Sequence, residues 1–320
     1  MTATAPTAPV PPPAAAGTAG KTRPVTVRRR WTEHGLLFTG PFLLLYALFL
    51  VWPLLLGLKM SLGDDNIAGT GGDFVGLDNY AEALRDPAVW SSLWHTVWFT
   101  LLSTAPLVLT GLVMALLAHH LRVLQWLWRL SWFAPFLLPS GVVGLLWLWM
   151  IYPSDFGLAD LLLKSAGLNP GIGWLTDTRY AMLSIVLTTV WWTVGFNFLL
   201  YLAALQAIPR HLYEAAELDG AGAWQRLRHI TLPMLARTTG VVVVLQLLAS
   251  LKVFDQIYIM TSGGPDESTR PILQYVYDAG FTGYRIGYAS AVSYVFFALI
   301  VIVSLIHLRM TRRSREEAAK

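Results

Sequence analysis

Glu214–Pro233, with the sequence EAAELDGAGAWQRLRHITLP, is the longest polar interruption between apolar segments that also has helical patterning. Ile208, Leu212 and Ala215 recur at the spacing of one helical face. Pro209 suits the first turn of a helix, where its missing N–H would have no helical partner. The first half of the stretch is therefore predicted to belong to a short helix.

The second half of the stretch begins with a predicted turn at Asp219-Gly220, because glycine accepts the positive φ that a sharp reversal requires. Beyond this turn the apolar residues again share one helical face, and Pro233 is expected to end the helix. The residues of that face are Trp224, Leu227, Ile230 and Met234. The stretch thus predicts a short helix, a turn and a second short helix at a membrane surface.

The same stretch carries a spaced motif, which consists of Glu214, Ala215, Ala216, Gly220, Ile230, Leu232 and Pro233. It resembles the signature of the integral-membrane permease subunits of binding-protein-dependent ABC importers, and it matches every spacing of that signature. The resemblance implies that this element is the coupling helix that docks onto a partner ATPase. Glu214 would contact the ATPase surface, Ala215 and Ala216 would allow close approach, and Gly220 would set the turn.

The composition of the chain is typical of a membrane protein. Hydrophobic residues make up 55% of it, charged residues 13%, and the mean hydropathy is +0.53. Soluble domains carry about 25% charged residues. The absence of cysteine excludes disulfides and thiolate metal sites. The net charge of +4 is small, and no basic face is interleaved with aromatic residues, so nucleic acid is not a predicted partner.

Six apolar segments reach the length of a membrane span, roughly 20 residues. They are continuous rather than alternating, and only helices and closed barrels can cross a membrane, so the sequence predicts an all-α integral membrane protein. With the resemblance, the expected fold is a six-transmembrane-helix bundle of the type I ABC importer permease kind. The predicted spans are residues 36–58, 93–118, 127–151, 181–205, 238–260 and 286–308.

The predicted domain organisation follows from these spans and from the composition of the two ends. Residues 1–30 form a tail rich in proline and alanine, which cannot bury enough apolar surface to become ordered. Residues 31–310 are the expected permease domain, with a cytoplasmic coupling loop at 206–236. Residues 311–320 form a basic tail.

Lysine and arginine are distributed unequally between the two predicted sides of the membrane. Sixteen lie in the two tails and in the loops after the second and fourth spans, six lie in the other loops, and Lys252 lies within a span. Because basic residues favour the cytoplasmic side, both termini and the coupling loop are predicted to be cytoplasmic. The expected location is the cytoplasmic (inner) membrane of the cell.

Three outer segments resemble those of the carbohydrate-uptake group of these permeases, the maltose and glycerol-phosphate type. They are Phe74–Tyr80 (FVGLDNY), Thr261–Pro265 (TSGGP) and Gly287–Ala291 (GYASA). On physical grounds alone, the second predicts a tight turn and the third predicts close helix packing. The resemblance implies a sugar or oligosaccharide as the substrate.

Lys252 and Asp255 are the plainly intramembrane charges, and their spacing predicts that they share one face of the fifth span. Ionisable groups at this depth are costly unless they are paired or hydrated, so this face should point into the bundle. One interpretation is an internal ion pair that neutralises itself. The other is a wall of the substrate path. The substrate-path candidates are Trp192, Thr193, Asn197, Lys252, Asp255 and Gln256.

No catalytic arrangement is predicted, and no histidine lies at metal-ligand spacing from a carboxylate. The resemblance therefore implies a transport subunit without cofactors, in which ATP and Mg²⁺ bind to a partner ABC ATPase dimer. A second six-span permease subunit, an extracytoplasmic solute-binding protein and membrane lipid are the other expected partners.

The alternative is a stand-alone secondary transporter of a small polar solute, for which membrane-embedded carboxylates and inverted repeats are typical. No repeat relates the two halves of this sequence, and Asp255 is the one acidic residue that lies plainly within a predicted span. An intramembrane enzyme is less well supported because no catalytic arrangement is found, and a membrane scaffold without transport is less well supported because of the coupling motif.

Overall fold

A computed structural model of the chain describes residues 33–66, 72–120, 125–152, 157–167 and 172–317. The predicted tail at 1–30 and the last three residues of the predicted tail at 311–320 lie outside these residues. The described residues form helices and connecting loops and contain no β-strand, which agrees with the predicted all-α fold. The chain divides into a first unit that ends at Trp52 and a second unit that begins at Pro53.

The helices follow one another with short connections. Within the described residues they are α1 (Glu33–Tyr46), α2 (Trp52–Ser61), α3 (Asp78–Arg85), α4 (Pro87–His120), α5 (Gln125–Phe133), α6 (Ser140–Met150), α7 (Leu158–Ser165), α8 (Thr178–Gln206), α9 (Arg210–Leu218), α10 (Ala223–Arg226), α11 (Leu232–Leu251), α12 (Asp255–Met260), α13 (Ile272–Tyr277) and α14 (Ile286–Glu317). Three π-helical turns (Ala47–Val51, Leu227–Thr231 and Asp278–Thr282) and one 3-10 turn (Ala134–Leu137) lie between them.

Five helical stretches of the described chain are long and apolar enough to cross a membrane, and a sixth is obtained if one bent pair counts as a span. This agrees with the six predicted segments, although most ends shift by several residues. The five spans are Phe38–Ser61, Pro87–His119, Thr178–Gln206, Ala223–Leu251 and Ile286–Leu305, and the bent pair is Trp126–Leu137 with Ser140–Met150.

The third span, predicted over 127–151, is bent by 97°. The bend lies at Leu138-Pro139. Leu138 adopts an extended conformation (φ −74°, ψ 139°), as expected for a residue that precedes proline. Pro139 is also extended and serves as the N-cap of α6, so the helix restarts in a new direction at Ser140.

The fifth span begins at Ala223, so the prediction of a separate second short helix ended by Pro233 is wrong, and the span predicted over 238–260 extends from Ala223 to Leu251 instead. A π turn over Leu227–Thr231 precedes the proline, and the N–H of Leu232 donates to the carbonyl of Leu227. This wider turn brings Pro233 into the first turn of α11, where its missing N–H does not interrupt the helix.

The core between the spans combines apolar clusters with close backbone contacts. Phe198, Tyr201 and Val242 are fully buried in one cluster between α8, α4 and α11. A Cβ added to Gly111 would lie 2.9 Å from the Cβ of Asn197, so α4 and α8 approach closely there. Small residues at such crossings are typical of membrane helices.

We predict that Gly195→Ala reduces folded protein, because α8 touches the backbone of α5 at this glycine. An added Cβ would lie 2.3 Å from the carbonyl oxygen of Trp132 and 2.8 Å from the Cα of Phe133. Overpacking of this kind costs about 1–3 kcal/mol. The matched control is Gly240→Ala in α11, where nothing lies within 4 Å of the new methyl group.

The measurement for this pair is the thermal unfolding temperature of each purified variant, together with the amount recovered from membranes. Gly195→Ala should unfold at a lower temperature than the wild type, and Gly240→Ala should not. Equal unfolding temperatures for both variants would contradict the close approach at Gly195.

Hydrogen bonds and close packing join the segment between α2 and α3 to the start of α14. Gly63 forms an isolated antiparallel β-bridge with Phe74, and Asn79 Nδ2 donates to the carbonyl of Gly63 over 2.9 Å. The N–H of Gly287 donates to the carbonyl of Asp65 over 3.0 Å. A Cβ on Gly287 would lie 2.1 Å from the Gly63 carbonyl oxygen, which accounts for the predicted close packing at this position.

Candidate functional site

The first part of the stretch Glu214–Pro233 belongs to α9, which ends in a glycine cap. Gly220 has φ +78°, in the left-handed region that favours glycine. The N–H of Ala221 donates to the carbonyl of Ala216 over 2.8 Å, and that of Gly220 donates to Glu217 over 3.1 Å. These two bonds form a Schellman motif, which confirms the predicted turn at Asp219-Gly220.

Side-chain contacts join α9 to the start of the fifth span. Glu217 and Arg226 form an ion pair across the turn. Tyr213 and Thr231 share a hydrogen bond of 2.9 Å between their hydroxyl groups. One contact lies near the turn and the other lies farther from it, so two points of contact hold α9 against the start of the fifth span.

The exposed surface of this element includes both motif residues and apolar side chains. Of the motif residues, Glu214, Ala215, Gly220, Leu232 and Pro233 are exposed, whereas Ala216 and Ile230 are half-buried. Leu218 is 90% exposed and Trp224 is 68% exposed. Exposed apolar side chains beside charged ones are typical of a protein interaction site. Leu218 has no periodic signal that distinguishes it, and the sequence did not predict it.

A cavity of about 350 Å³ lies between the end of α11 at Leu251 and the start of α12 at Asp255, which we call the break of the fifth span. Five of the six predicted substrate-path residues line it: Trp192, Thr193, Lys252, Asp255 and Gln256. The sixth, Asn197, does not reach the cavity and is fully buried beside it. The helix α8 and the segment from the end of α11 to the start of α12 therefore bring the predicted residues together, with this one exception.

Lys252 and Asp255 do not share a helix face, so that prediction is wrong. α11 ends at Leu251, Phe254 has φ −151° and ψ −68°, and Asp255 is the first residue of α12. Among the described residues no hydrogen bond or ion pair joins the two side chains. Asp255 Oδ2 instead accepts a hydrogen bond of 2.7 Å from Ser140 Oγ. The predicted internal ion pair is therefore not formed, and both charged groups are exposed to the cavity.

The bend of the third span and the break of the fifth meet beside the cavity. Trp192 Nε1 donates to the carbonyl of Leu138 over 3.2 Å, which satisfies an acceptor that the bend leaves without a helical partner. A Cβ on Gly144 would lie 3.0 Å from Ile259, so α6 and α12 pack closely. The hydrogen bond from Ser140 to Asp255 joins the starts of these two helices.

A buried chain of hydrogen bonds supports one wall of the cavity. Asn197 Nδ2 donates to Gln246 Oε1 over 3.2 Å, and Gln246 Nε2 donates to Ser250 Oγ over 3.0 Å. Ser250 shares a 3.0 Å hydrogen bond with Ser103 of α4. Gln246 and Ser250 line the cavity, so Asn197 acts on it indirectly by fixing the amide of Gln246.

The rest of the lining alternates aromatic rings with hydrogen-bonding groups. Gln256 Nε2 donates to Thr189 Oγ1 over 3.4 Å, and both residues line the cavity. The aromatic lining residues are Phe99, Phe136, Trp192, Phe196 and Phe254. A mainly apolar pocket with a few placed polar groups is suited to a small polar solute that has apolar faces.

A polar cluster that the sequence did not predict lies at the opposite end of the spans from α9. Asp86 accepts hydrogen bonds from the hydroxyl groups of Tyr275 and Tyr288, and Arg285 pairs with Glu82. Burial raises the pKa of Asp86, but the hydrogen bonds from the two tyrosines and from a backbone N–H outweigh this, so the pKa falls below its ordinary value. The partners are separated by about 190 positions in the sequence, which leaves no local signal.

Residues 107–316 match the protein family described as binding-protein-dependent transport system inner membrane component. The sulfoquinovosyl glycerol transport system permease protein of Agrobacterium fabrum is 35% identical over 88% of this chain and 93% of that protein. The trehalose/maltose transport system permease protein of Thermococcus litoralis is 33% identical over 91% of this chain and 97% of that protein.

The fold is also similar to that of a chain in a solved structure. The crystal structure of a bacterial alginate ABC transporter, in complex with an alginate pentasaccharide-bound periplasmic protein, contains a chain with a TM-score of 0.77 and 24% sequence identity. The match covers 90% of this chain and 96% of that chain. At this identity, the likeness concerns the fold.

Proposed function

Since this chain belongs to the family of binding-protein-dependent transport system inner membrane components, we propose that it forms one half of the membrane pathway of an importer for a sugar or oligosaccharide. The chain is a multi-pass membrane protein and a permease of the ABC importer kind. The family match disfavours the stand-alone secondary transporter considered from the sequence.

The observation that carries the substrate proposal is the cavity at the break of the fifth span. Its aromatic rings, with Trp192 and Phe254 among them, offer flat apolar surfaces, and Lys252, Asp255 and Gln256 offer donors and acceptors. A sugar ring has both an apolar face and a rim of hydroxyl groups, which this combination suits. The relatives named for sulfoquinovosyl glycerol and for trehalose and maltose support the same substrate class.

The coupling proposal concerns α9 and the turn at Gly220. ATP and Mg²⁺ would bind to a partner ABC ATPase dimer, and this chain would itself hydrolyse nothing. The exposed Glu214, Ala215, Leu218 and Trp224 would lie against the ATPase surface. Closure of the ATPase pair would then move α9, and through the Glu217–Arg226 and Tyr213–Thr231 contacts the fifth span would follow.

The remaining partners follow from the same family. A six-span chain encloses half a pathway, so a second permease subunit is needed. An extracytoplasmic binding protein would deliver the substrate to the outer segments, by analogy with the alginate transporter, which was crystallised together with its substrate-bound periplasmic protein. Both termini and α9 would lie in the cytoplasm, because sixteen of the 23 basic residues would then be on that side.

The test of this function is ATP-dependent uptake into proteoliposomes that contain the assembled importer and its binding protein. The panel is labelled sulfoquinovosyl glycerol, trehalose, maltose and an alginate oligosaccharide. We expect accumulation of at least one of them with ATP, and none when the ATPase partner carries an inactivated catalytic site. Uptake that continues without ATP hydrolysis would contradict the proposal.

Single cysteines test the orientation, because the chain has none of its own. We expect cysteines at Asp65, Ser165 and Ser268 to react with a membrane-impermeant thiol reagent applied to the outside of intact cells. Cysteines at Gly222, Ser314 and Thr22, the last of which is outside the described residues, should react only after the membrane is opened. Labelling of Gly222→Cys from outside would overturn both the orientation and the coupling role.

A further inference from the structure

Four aromatic side chains form a continuous row that begins at the cavity. The ring of Phe254 lies 5.4 Å from that of Tyr258 and 5.7 Å from that of Tyr277, centroid to centroid. Tyr277 stacks in turn on Phe281, with 5.2 Å between centroids and 29° between ring planes. We call Phe254, Tyr258, Tyr277 and Phe281 the aromatic row.

The two ends of the aromatic row lie in different surroundings. Phe254 lines the cavity at the break of the fifth span. Phe281 lies in the π turn between α13 and α14, in the segment that the proposed orientation puts on the outer side, and it is 56% exposed. Tyr258 and Tyr277 lie between these two ends and are 39% and 37% exposed, respectively. The row therefore offers accessible ring surface from the outer segment to the cavity.

The charges beside the aromatic row indicate that lipid does not cover it. Lys252 and Asp255 flank Phe254 in the sequence and are both exposed. Asp278 directly follows Tyr277 and is only partly buried. Ionisable side chains within the membrane face the interior of a bundle or a water-filled path rather than lipid tails. The same surface that carries the rings is therefore suited to water and to a polar solute.

We propose that the aromatic row is an access path along which the rings of a saccharide pass from the outer face into the cavity. This inference rests on the proposed import function and adds a second binding region to it. Passage through a membrane path requires sites that bind well enough to admit the solute and weakly enough to release it. Successive exposed rings provide several weak contacts with the apolar face of a sugar. Lys252 and Asp255 then meet its hydroxyl groups at the inner end.

The first test asks what covers the row in the assembled importer. Tyr258→Cys, Tyr277→Cys and Phe281→Cys are exposed from outside to sodium (2-sulfonatoethyl) methanethiosulfonate, with the complex trapped by vanadate and the loaded binding protein. Lys252→Cys serves as the reference for the cavity. We expect the three row cysteines to react whenever the reference reacts.

The outcomes of the labelling test distinguish failure of the access path from failure of the cavity assignment. Reaction of Lys252→Cys alone would mean that the partner permease or lipid covers the row, which would overturn the access path and leave the import function in place. Reaction at none of the four positions would overturn the cavity assignment and the access path together.

The second test measures uptake of the panel sugar that the wild-type importer accumulates. Tyr277→Leu and Phe281→Leu should lower the initial rate about three- to tenfold, the loss expected from removing an aromatic contact. Tyr277→Phe, which keeps the aromatic ring, should have the wild-type initial rate of uptake. ATP hydrolysis stimulated by the loaded binding protein should be unchanged, because assembly does not depend on the row. Trp149→Leu is the matched control, since Trp149 is 79% exposed and lies outside the row. Wild-type uptake by both leucine variants would overturn the proposal.

Discussion

Replacement of Gly220 by leucine is expected to separate ATP hydrolysis from transport while the protein remains folded and inserted. Gly220 has φ +78°, where a residue with a branched side chain costs about 1–3 kcal/mol. Nothing lies within 4 Å of an added Cβ, so the penalty comes from the backbone rather than from a clash. The chain can relieve it by opening the cap, which releases the hydrogen bond from Ala221 to Ala216. The helix α9, which carries Glu214, would then lose its fixed position.

The measurement is the number of sugar molecules transported per ATP hydrolysed in proteoliposomes. For Gly220→Leu we expect this ratio to fall by about tenfold, the equivalent of about 1.4 kcal/mol of lost coupling. Gly220→Asn is the matched control, because asparagine tolerates the left-handed region. Gly222→Ala is a second control, since Gly222 has an ordinary φ of −69°. A wild-type ratio in the leucine variant would show that this turn does not transmit the motion.

The parts of the fold that the sequence predicted are those for which local chemistry permits one solution. Lipid offers no partner to a backbone N–H, so long apolar segments such as Thr178–Gln206 had to be helices. The turn at Gly220 was predictable because glycine alone enters the left-handed region without penalty. The charged part of the cavity lining was also predictable, since Lys252 and Asp255 are too costly in lipid to lie elsewhere.

Pro139 and Pro233 show why helix boundaries were harder to predict than the presence of the spans. Pro139 coincides with a 97° bend because Leu138 before it is extended. Pro233 does not end the fifth span, because the π turn before it accommodates a residue that has no N–H to donate. Both prolines lie in or beside apolar segments, and which solution is adopted depends on neighbouring helices. Tertiary packing rather than local sequence therefore determines whether a proline bends a span or is accommodated within it.

The break at Lys252 was unpredictable for a related reason. The residues from Leu251 to Asp255 include neither glycine nor proline, so no local signal ends the helix. The break is instead supported from outside, by the hydrogen bond that Ser140 of another span donates to Asp255. Asn197 was assigned to the path for its polarity, and its contact with Gln246 shows that a buried amide can serve the cavity from behind its wall.

Exchange of the two cavity charges is expected to abolish uptake without preventing assembly. In Lys252→Asp with Asp255→Lys, a self-neutralising ion pair would survive the exchange. The two groups are not paired, however, and Asp255 is the first residue of α12, where a negative charge is favourable and a positive charge is not. Lysine at that position also cannot accept the hydrogen bond of Ser140. The exchange therefore alters both the local structure and the groups that a sugar hydroxyl would meet.

A graded series separates these two contributions. Asp255→Asn keeps an acceptor for Ser140 and removes only the charge, so it should fold normally and lower uptake by about tenfold, the loss of one charged hydrogen bond. Ser140→Ala removes the donor and keeps the carboxylate, and it should unfold at a lower temperature with a smaller loss of uptake. The double exchange should reduce uptake to background while the amounts of protein in the membrane and of bound ATPase stay at wild-type levels. If the exchanged protein still transports, neither charge contacts the substrate, and the cavity at the break is not the path.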